Sequence, residues 1–394
     1  SSYWYYNGDI DDVAIWDRVL SLQEIDTVFN SLGPCSGVDL GAEIIQSGDD
    51  LSTTQTYNSY QWFFNDTAIV GATGQTHTMA DWGSYYTVVT DTNGCSDTSN
   101  VIETSISGVV NDYTPVHSID TCSNSVVVGS SNAFSVGDRV LIIQMKGADI
   151  SFNNDTTFGD VLDYHNTGNY EFGNISSIYG DTIAFVNTLL RSYTPSGLLQ
   201  LIRVPKYQNV VVEDTLTCLP WNGSVGGVLA IEVSDSLILH ADIDVSGKGF
   251  RGYFENGNHI QNYCGYNDYY YLNNYEGGTK GEGIADASGY PFARGKNANG
   301  GGGGNQHNAG GGGGGNGGKG GFGGGVVGQM GSGCNFCNLL SNTRGIGGAA
   351  PSFYLNARNT ICLGGAGGGG HSNDNKGTKG GNGGGIVIVK SEGI

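Results

Sequence analysis

The chain has 394 residues, of which 38% are hydrophobic and only 14% charged, and its 37 acidic against 17 basic residues give a net charge of −20. A surface this acidic repels phosphate backbones and anionic lipid, which argues against nucleic acid and membrane surfaces as partners, and no apolar run approaches the ~20 residues of a membrane span. Scarce Lys, Glu and Met with abundant Asn, Ser, Thr, Tyr and Gly disfavour long helices and predict an all-β, multidomain chain.

Residues 1–33 read as one strand and a short helix. Ile10, Val13 and Ile15 alternate in strand fashion, and Ser21 with Glu24 has the spacing of a capping box that starts a helix. So small a piece cannot hold a core, so its partner strands are expected upstream and the chain reads as part of a longer one. The run Gly8-Asp9-Ile10-Asp11-Asp12-Val13-Ala14-Ile15-Trp16, with Glu24-Ile25, resembles the C-terminal piece of a laminin-G/concanavalin-like domain. That resemblance implies glycan or protein binding, sometimes through calcium. Asp9, Asp11 and Asp12 are the candidate calcium ligands, against a simpler role in the turn and strand. Calcium is the only cofactor the sequence brings forward, since an acidic chain is rich in hard oxygen ligands.

Residues 34–107 predict a small β-sandwich. Tyr60–Asn65 alternates around Trp62, a core candidate, and Gly83–Asp91 is a second strand ending at the turn pair Asn93-Gly94. Cys35 and Cys95 bracket this unit, and a disulfide between them would staple a domain with little core. Trp62, Gly83-Ser84-Tyr85-Tyr86 and Asn93-Gly94-Cys95-Ser96-Asp97 resemble the Ig/PKD-type repeats of Bacteroidota surface proteins, which implies a spacer.

Residues 108–250 hold strand-length apolar runs at Ser125–Val128, Asp138–Met145, Asp181–Val186 and Leu198–Val204. The shorter runs Gly226–Val233 and Ser236–Gly247 suggest successive rungs of a parallel β-solenoid. The expected layout is a small barrel or sandwich before Leu219, passing into rungs after it.

Residues 251–394 carry most of the chain's 69 glycines. Ordering glycine costs more backbone entropy than ordering any other residue, and no side chains offset it. Backbone hydrogen bonds between runs do so if each run is an extended left-handed helix of three residues per turn, directing its polar groups three ways. With 7 prolines in the chain and no Gly-X-Y period, an inserted polyglycine-helix bundle is expected rather than a collagen-like trimer. The run Ile386–Val389 is then a closing strand, expected to pair beside Val228–Val245.

The eight cysteines, Cys35, Cys95, Cys122, Cys218, Cys264, Cys334, Cys337 and Cys362, point to an oxidising compartment and disulfides. Cys334-Asn335-Phe336-Cys337 is a CxxC, but no second CxxC completes a zinc site and no thioredoxin-like context surrounds it. Tyr263, Tyr266, Tyr269, Tyr270, Tyr271 and Tyr275 cluster before the glycines in a composition suited to sugar or protein recognition, or to packing on bare glycine backbone. Asp242 and Asp244 are the one carboxylate pair with a claim to glycosidic cleavage, against a solvated strand face. No nucleophile elbow, HExxH, Walker loop or EF-hand pattern occurs.

Asn111–Val116, Phe134–Gly147 and Ala241–Gly252 resemble glycine-rich Bacteroidota surface proteins exported by the type 9 system and associated with gliding motility. The resemblance implies a secreted cell-surface adhesin or filament segment, meeting extracellular glycan or protein, the secretion machinery and outer-membrane surface proteins, without catalysis. It also implies O-glycosylation at Asp-Thr/Ser triplets, here Thr67, Thr156, Thr182, Thr215 and Ser236. The competing readings are a polysaccharide-cleaving β-solenoid enzyme with accessory domains and a structural filament subunit.

Overall fold

The computed structural model describes residues 18–21, 24–25, 35, 38–47, 50–79, 83–103, 105–253, 268–272, 277–305, 308–325, 343–352, 359–372 and 377–391. Two units divide between Thr104 and Ser105. At the start of the first, Ser21 and Glu24 make the reciprocal bonds of a capping box: Glu24 N donates to Ser21 Oγ at 3.2 Å and Ser21 N to Glu24 Oε2 at 2.9 Å.

The first unit has strands β1 (Ile44–Ser47), β2 (Asp50–Thr53), β3 (Ser59–Phe64), β4 (Thr67–Ala68), β5 (Thr76–Thr78), β6 (Ser84–Thr90), β7 (Ser96–Thr98) and β8 (Ile102–Glu103). They form one sheet in the order β1-β2-β5 and another in the order β4-β3-β6-β7, with β8 also on β6. Ile44, Leu51, Trp62 and Tyr85 are its buried core. Alternation along β3 turns Trp62 inward, where it is fully buried and its indole N–H donates to Gly74 O at 2.9 Å. Cys35 and Cys95 are joined by a disulfide.

The second unit contains β9 (Ser105–Val109), β10 (Tyr113–Asp120), β11 (Ser125–Val128), β12 (Arg139–Gln144), β13 (Asp149–Ile150), β14 (Val161–Asp163), β15 (Tyr170–Tyr179), β16 (Thr182–Phe185), β17 (Leu199–Arg203), β18 (Lys206–Thr217), β19 (Val228–Leu239) and β20 (Ile386–Ser391). Six of them close an antiparallel barrel in the order β10-β11-β16-β15-β12-β17. Val116, Val126, Val140, Ile142, Ile183 and Leu201 are among the side chains that fill it.

A parallel sheet runs β20-β19-β18-β9. Adjacent strands repeat as rungs: Glu213 on β18 and His240 just past β19, 27 residues apart, meet at 3.1 Å. The rungs do not wait for Leu219, as the sequence suggested. One of them, β9, precedes the barrel, and β18 follows it at once, so the barrel is an excursion between two neighbouring strands. The glycine-rich stretch is a second excursion. Val228 pairs with Ile386 and Val233 with Ser391, so β20 returns in parallel to β19 as the sequence led us to expect.

Both insertions share a core with the sheet. On β12, Val140 and Ile142 point into the barrel while Leu141 and Ile143 point out, against Val228, Ala230, Phe250, Ile284, Leu363 and Ile386. Burial on both faces explains the unbroken apolar run at Val140–Ile143, which alternation alone would not produce. Asn111 stitches barrel to sheet, donating to Arg203 O at 2.9 Å and Ala230 O at 2.7 Å while accepting from Ala230 N.

The glycine runs are ordered by backbone contacts between them. Gly364, Gly367 and Gly370 N–H donate to Gly384, Gly381 and Thr378, while Gly365 and Gly368 donate to Gly315 and Gly312, and Ala366 and Gly369 to Glu282 and Thr279. The run 364–370 thus addresses three neighbours in turn, stepping by three residues. Glycine is required by this approach: a Cβ on Gly314 would collide with Gly365 O, and one on Gly380 with Gly367 O. At Gly324 and Gly384 a Cβ would meet nothing.

Among the described residues, Glu232, Lys280, Glu282 and Arg294 are the charged residues buried in the second unit. Glu232 on β19 is 2% exposed and accepts from Arg139 Nε at 3.0 Å and from Lys390. Glu282 is treated with the site below.

Candidate functional site

A pocket of ≈ 410 Å³ opens where the barrel, the rungs and the glycine-rich excursion meet. Its wall includes Lys146, Arg251, Tyr253, Lys280, Glu282, Asp286, Ser288 and Asn297. Lys146 arrives on the segment leaving β12, which is pinned to the excursion where Gly147 N donates to Ile284 O at 3.0 Å. Arg251 follows the last rung, and Lys280 and Glu282 lie on the first glycine run.

Glu282 organises this wall. Its carboxylate accepts from Lys146 Nζ at 2.7 Å, from Arg251 Nε at 3.0 Å and from the Trp221 indole at 3.2 Å. Burial pushes its carboxyl up, but the charges and hydrogen bonds of Lys146 and Arg251 outweigh that and bring it down to about 2. Lys280, 5% exposed, has no carboxylate partner among the described residues. Its ammonium donates to Tyr269 O at 2.6 Å, Ala293 O at 3.0 Å and Gly295 O at 2.8 Å, and sits 4.5 Å from the Phe158 ring centre. Burial pushes this amine well below its usual range, and the carbonyls and ring are what favour its charged form.

Behind Lys280 lies an aromatic cluster. Tyr270 meets Tyr290 edge-on at 4.5 Å, Phe152 lies 5.0 Å from Tyr290, and Phe158 lies 5.8 Å from Tyr270. Phe152 is 41% exposed, so part of the cluster faces solvent. The segment 284–292 carries pocket residues and Tyr290 together. Sequence reasoning named Tyr270 but not Tyr290, Phe152 or the pocket wall. The available signal was the rarity of charge: Lys280 and Glu282 stand two apart in a glycine run.

The tyrosines named from sequence divide in role. Tyr271 is buried against Phe292 and Ala293, which is packing on the excursion. Tyr269 is half-buried with the Arg294 guanidinium 4.9 Å from its ring centre. Tyr263, Tyr266 and Tyr275 lie outside the described residues, as do Asp9, Asp11, Asp12, Cys264, Cys334 and Cys337. Among the described residues no three His, Cys, Asp or Glu side chains form a group able to hold a metal ion.

Among the described residues, no disulfide is found at Cys122 or Cys218. Cys122 is an exposed thiol in the turn after β10, and Cys218 a fully buried one among the core residues of the parallel sheet. Cys362 is buried and its Sγ faces Asn316 Oδ1 at 3.9 Å. The three belong to a barrel turn, the sheet core and a glycine run, which keeps them apart. Asp242 and Asp244 are exposed while Ile243 and Val245 between and beyond them pack on the sheet core, so the pair lies on a solvated face. Of the triplet residues, Thr67, Thr156 and Thr215 are exposed, and Thr182 and Ser236 are half-buried.

No family model matches the chain, and no curated protein matches it. Among solved structures it is similar to a tailspike of Acinetobacter baumannii bacteriophage AP22, solved in complex with A. baumannii capsular saccharide, at 16% identity and a TM-score of 0.19, over 34% of this chain and 23% of that one. A tailspike protein of Pseudomonas phage LKA1 matches at 14% identity and a TM-score of 0.18, over 37% of this chain and 25% of the other. The chain therefore spans about a quarter of the length of either.

Proposed function

We propose that this chain is part of a secreted, cell-surface adhesin that binds extracellular glycan through its second unit, without catalysis. The observation that carries the reading is the solvent-facing aromatic cluster of Phe152, Tyr270 and Tyr290 beside a polar pocket, both held by segment 284–292. Aromatic faces stack on the apolar faces of sugar rings, while nearby charged and amide groups meet hydroxyls. The glycine excursion supplies rigidity in this proposal. Its runs are polyglycine helices of three residues per turn, and the three-residue step of their hydrogen bonds supports that assignment. The disulfide of the first unit fits an oxidising, extracellular setting. Export by a type 9 system, with outer-membrane surface proteins as neighbours, belongs to the same reading and rests on the sequence resemblance.

A glycan array probed with the intact chain tests it. Binding to a defined set of glycans, reduced at least about tenfold by Tyr290→Ala, is expected. Binding unchanged by that substitution overturns the assignment of the site. Release of reducing ends from any bound polysaccharide, abolished by Asp242→Asn, would replace the adhesin with the cleaving enzyme.

A further inference from the structure

The pocket wall has a charge imbalance at its inner end. Glu282 is one anion between two cations, and its oxygens are already taken by Lys146, Arg251 and Trp221. Lys146 spends one donor on it. Arg251 spends three of its five, two on Glu282 and one on Asn222 O at 2.6 Å. Among the described residues the wall's three cations, Lys146, Arg251 and Lys280, outnumber its two carboxylates, Glu282 and Asp286, the second of which also feels the Lys146 charge, in a chain whose net charge is −20.

The rest of the wall has a different character. Asp286 and Ser288 are exposed, with Asp286 Oδ1 holding Ser288 N at 2.9 Å. Tyr253 is 40% exposed, its ring 4.9 Å from the Arg251 guanidinium. Asn297 is 6% exposed and its side-chain oxygen has no hydrogen-bond partner among the described residues. A buried acceptor left without a donor is costly, and a bound hydroxyl or water relieves it.

From this arrangement we infer that the pocket takes a carboxylate-bearing sugar unit of the glycan. The sugar carboxylate meets Lys146 and Arg251, its hydroxyls meet Asp286 and Ser288, and its ring lies against Tyr253. Beside a saturated Glu282, charge-assisted hydrogen bonds from Lys146 and from Arg251, whose guanidinium also meets the Tyr253 side chain, would hold that carboxylate. The volume of ≈ 410 Å³ lies in the ordinary range of small-ligand sites. The inference rests on the glycan-binding reading above and narrows it to acidic saccharides.

Calorimetric titration of the intact chain with D-glucuronate, D-glucose and sodium sulfate tests it. Glucuronate is expected to bind at least about tenfold more tightly than glucose or sulfate, and Tyr253→Ala and Lys146→Gln each to weaken it by about tenfold or more. Tyr253 is exposed and outside the Glu282 ion pairs, so its variant reports binding even where Lys146→Gln lowers stability. Equal binding of glucose, equal binding of sulfate, no saturable glucuronate binding, or indifference to Tyr253→Ala overturns the assignment. If neutral glycans still bind the array in a Tyr290-dependent way, the adhesin reading survives that failure. If nothing binds the array, both fall.

Discussion

Lys390, near the end of β20, donates to Glu232 on β19 across 158 residues of sequence. The bond closes the glycine-rich excursion at its base, where Arg139 of the barrel meets the same carboxylate at 3.0 Å. Removing the shared anion leaves three cations, Arg139, Lys206 and Lys390, facing one another, whereas removing Lys390, which is 37% exposed, leaves Glu232 still paired with Arg139 and Lys206. Glu232→Gln is expected to cost about 2–4 kcal/mol, and Lys390→Met about 1 kcal/mol or less. Urea denaturation followed by intrinsic fluorescence measures both, and equal losses would show that the carboxylate is not the hub.

Glycine positions in the excursion fall into two classes with opposite expected responses. Gly314→Ala drives a methyl into Gly365 O and should destabilise the second unit by at least about 2 kcal/mol. Gly324→Ala meets nothing and should be neutral or stabilising by up to about 1 kcal/mol, through the reduced freedom of the unfolded chain. Thermal melts of the two variants side by side decide the point.

Acid should loosen the pocket wall. The Glu282 carboxyl lies at about 2 in the fold, below its ordinary value of 4.5. Its stabilisation is therefore complete above about 4.5 and is lost as pH falls towards 2. That loss amounts to about 3 kcal/mol. Glu282→Gln should flatten the decline in stability between pH 5 and pH 2, measured by denaturation at each pH.

At the β13–β14 hairpin the sign is reversed. The hydrogen bond to Asp149 at 2.7 Å, helped by Asp163, raises the His165 imidazole above its usual value. Its contribution is present below about pH 6.5 and is lost as pH rises through the raised value. An NMR titration of the His165 ring should give a midpoint above 6.5 that falls towards it in Asp149→Asn. A midpoint unchanged by the substitution would separate the pair.

Thiol chemistry distinguishes the cysteines. Cys122 should react with maleimide in the native state, while Cys218, whose thiol burial pushes up to about 11, should react only after unfolding. Cys95→Ser should cost the first unit about 2–4 kcal/mol and leave the second unit's transition in place. Peptide mapping of labelled protein, with a two-transition melt, reads both.

Much of the fold was legible locally. Trp62 stood out in an alternating strand, Ser21 and Glu24 had capping-box spacing, and Ile386–Val389 read as a strand because four β-branched residues followed glycine. What could not be read was pairing across long separations. The neighbours of β9 and β20 are set by where the chain returns after each excursion, and no local pattern marks a return. The site was hidden for the same reason. Lys146, Arg251 and Glu282 are unremarkable where they stand in sequence, and they become a cluster only because separate elements bring Lys146 and Arg251 to Glu282. Cysteine parity misled us at Cys122 and Cys218, since parity carries no information about distance.

The parallel sheet has a mechanical consequence. Because β9, β18, β19 and β20 all run the same way, the start of β9 and the end of β20 lie at opposite ends of the strands as well as at opposite edges of the sheet. Tension applied between those points slides the strands along one another, so the ladder bonds are loaded together and not peeled one at a time. The barrel and the glycine excursion, each looped out between adjacent strands, lie beyond the load path until the sheet gives way. Whatever the second unit holds would stay held while the chain is pulled.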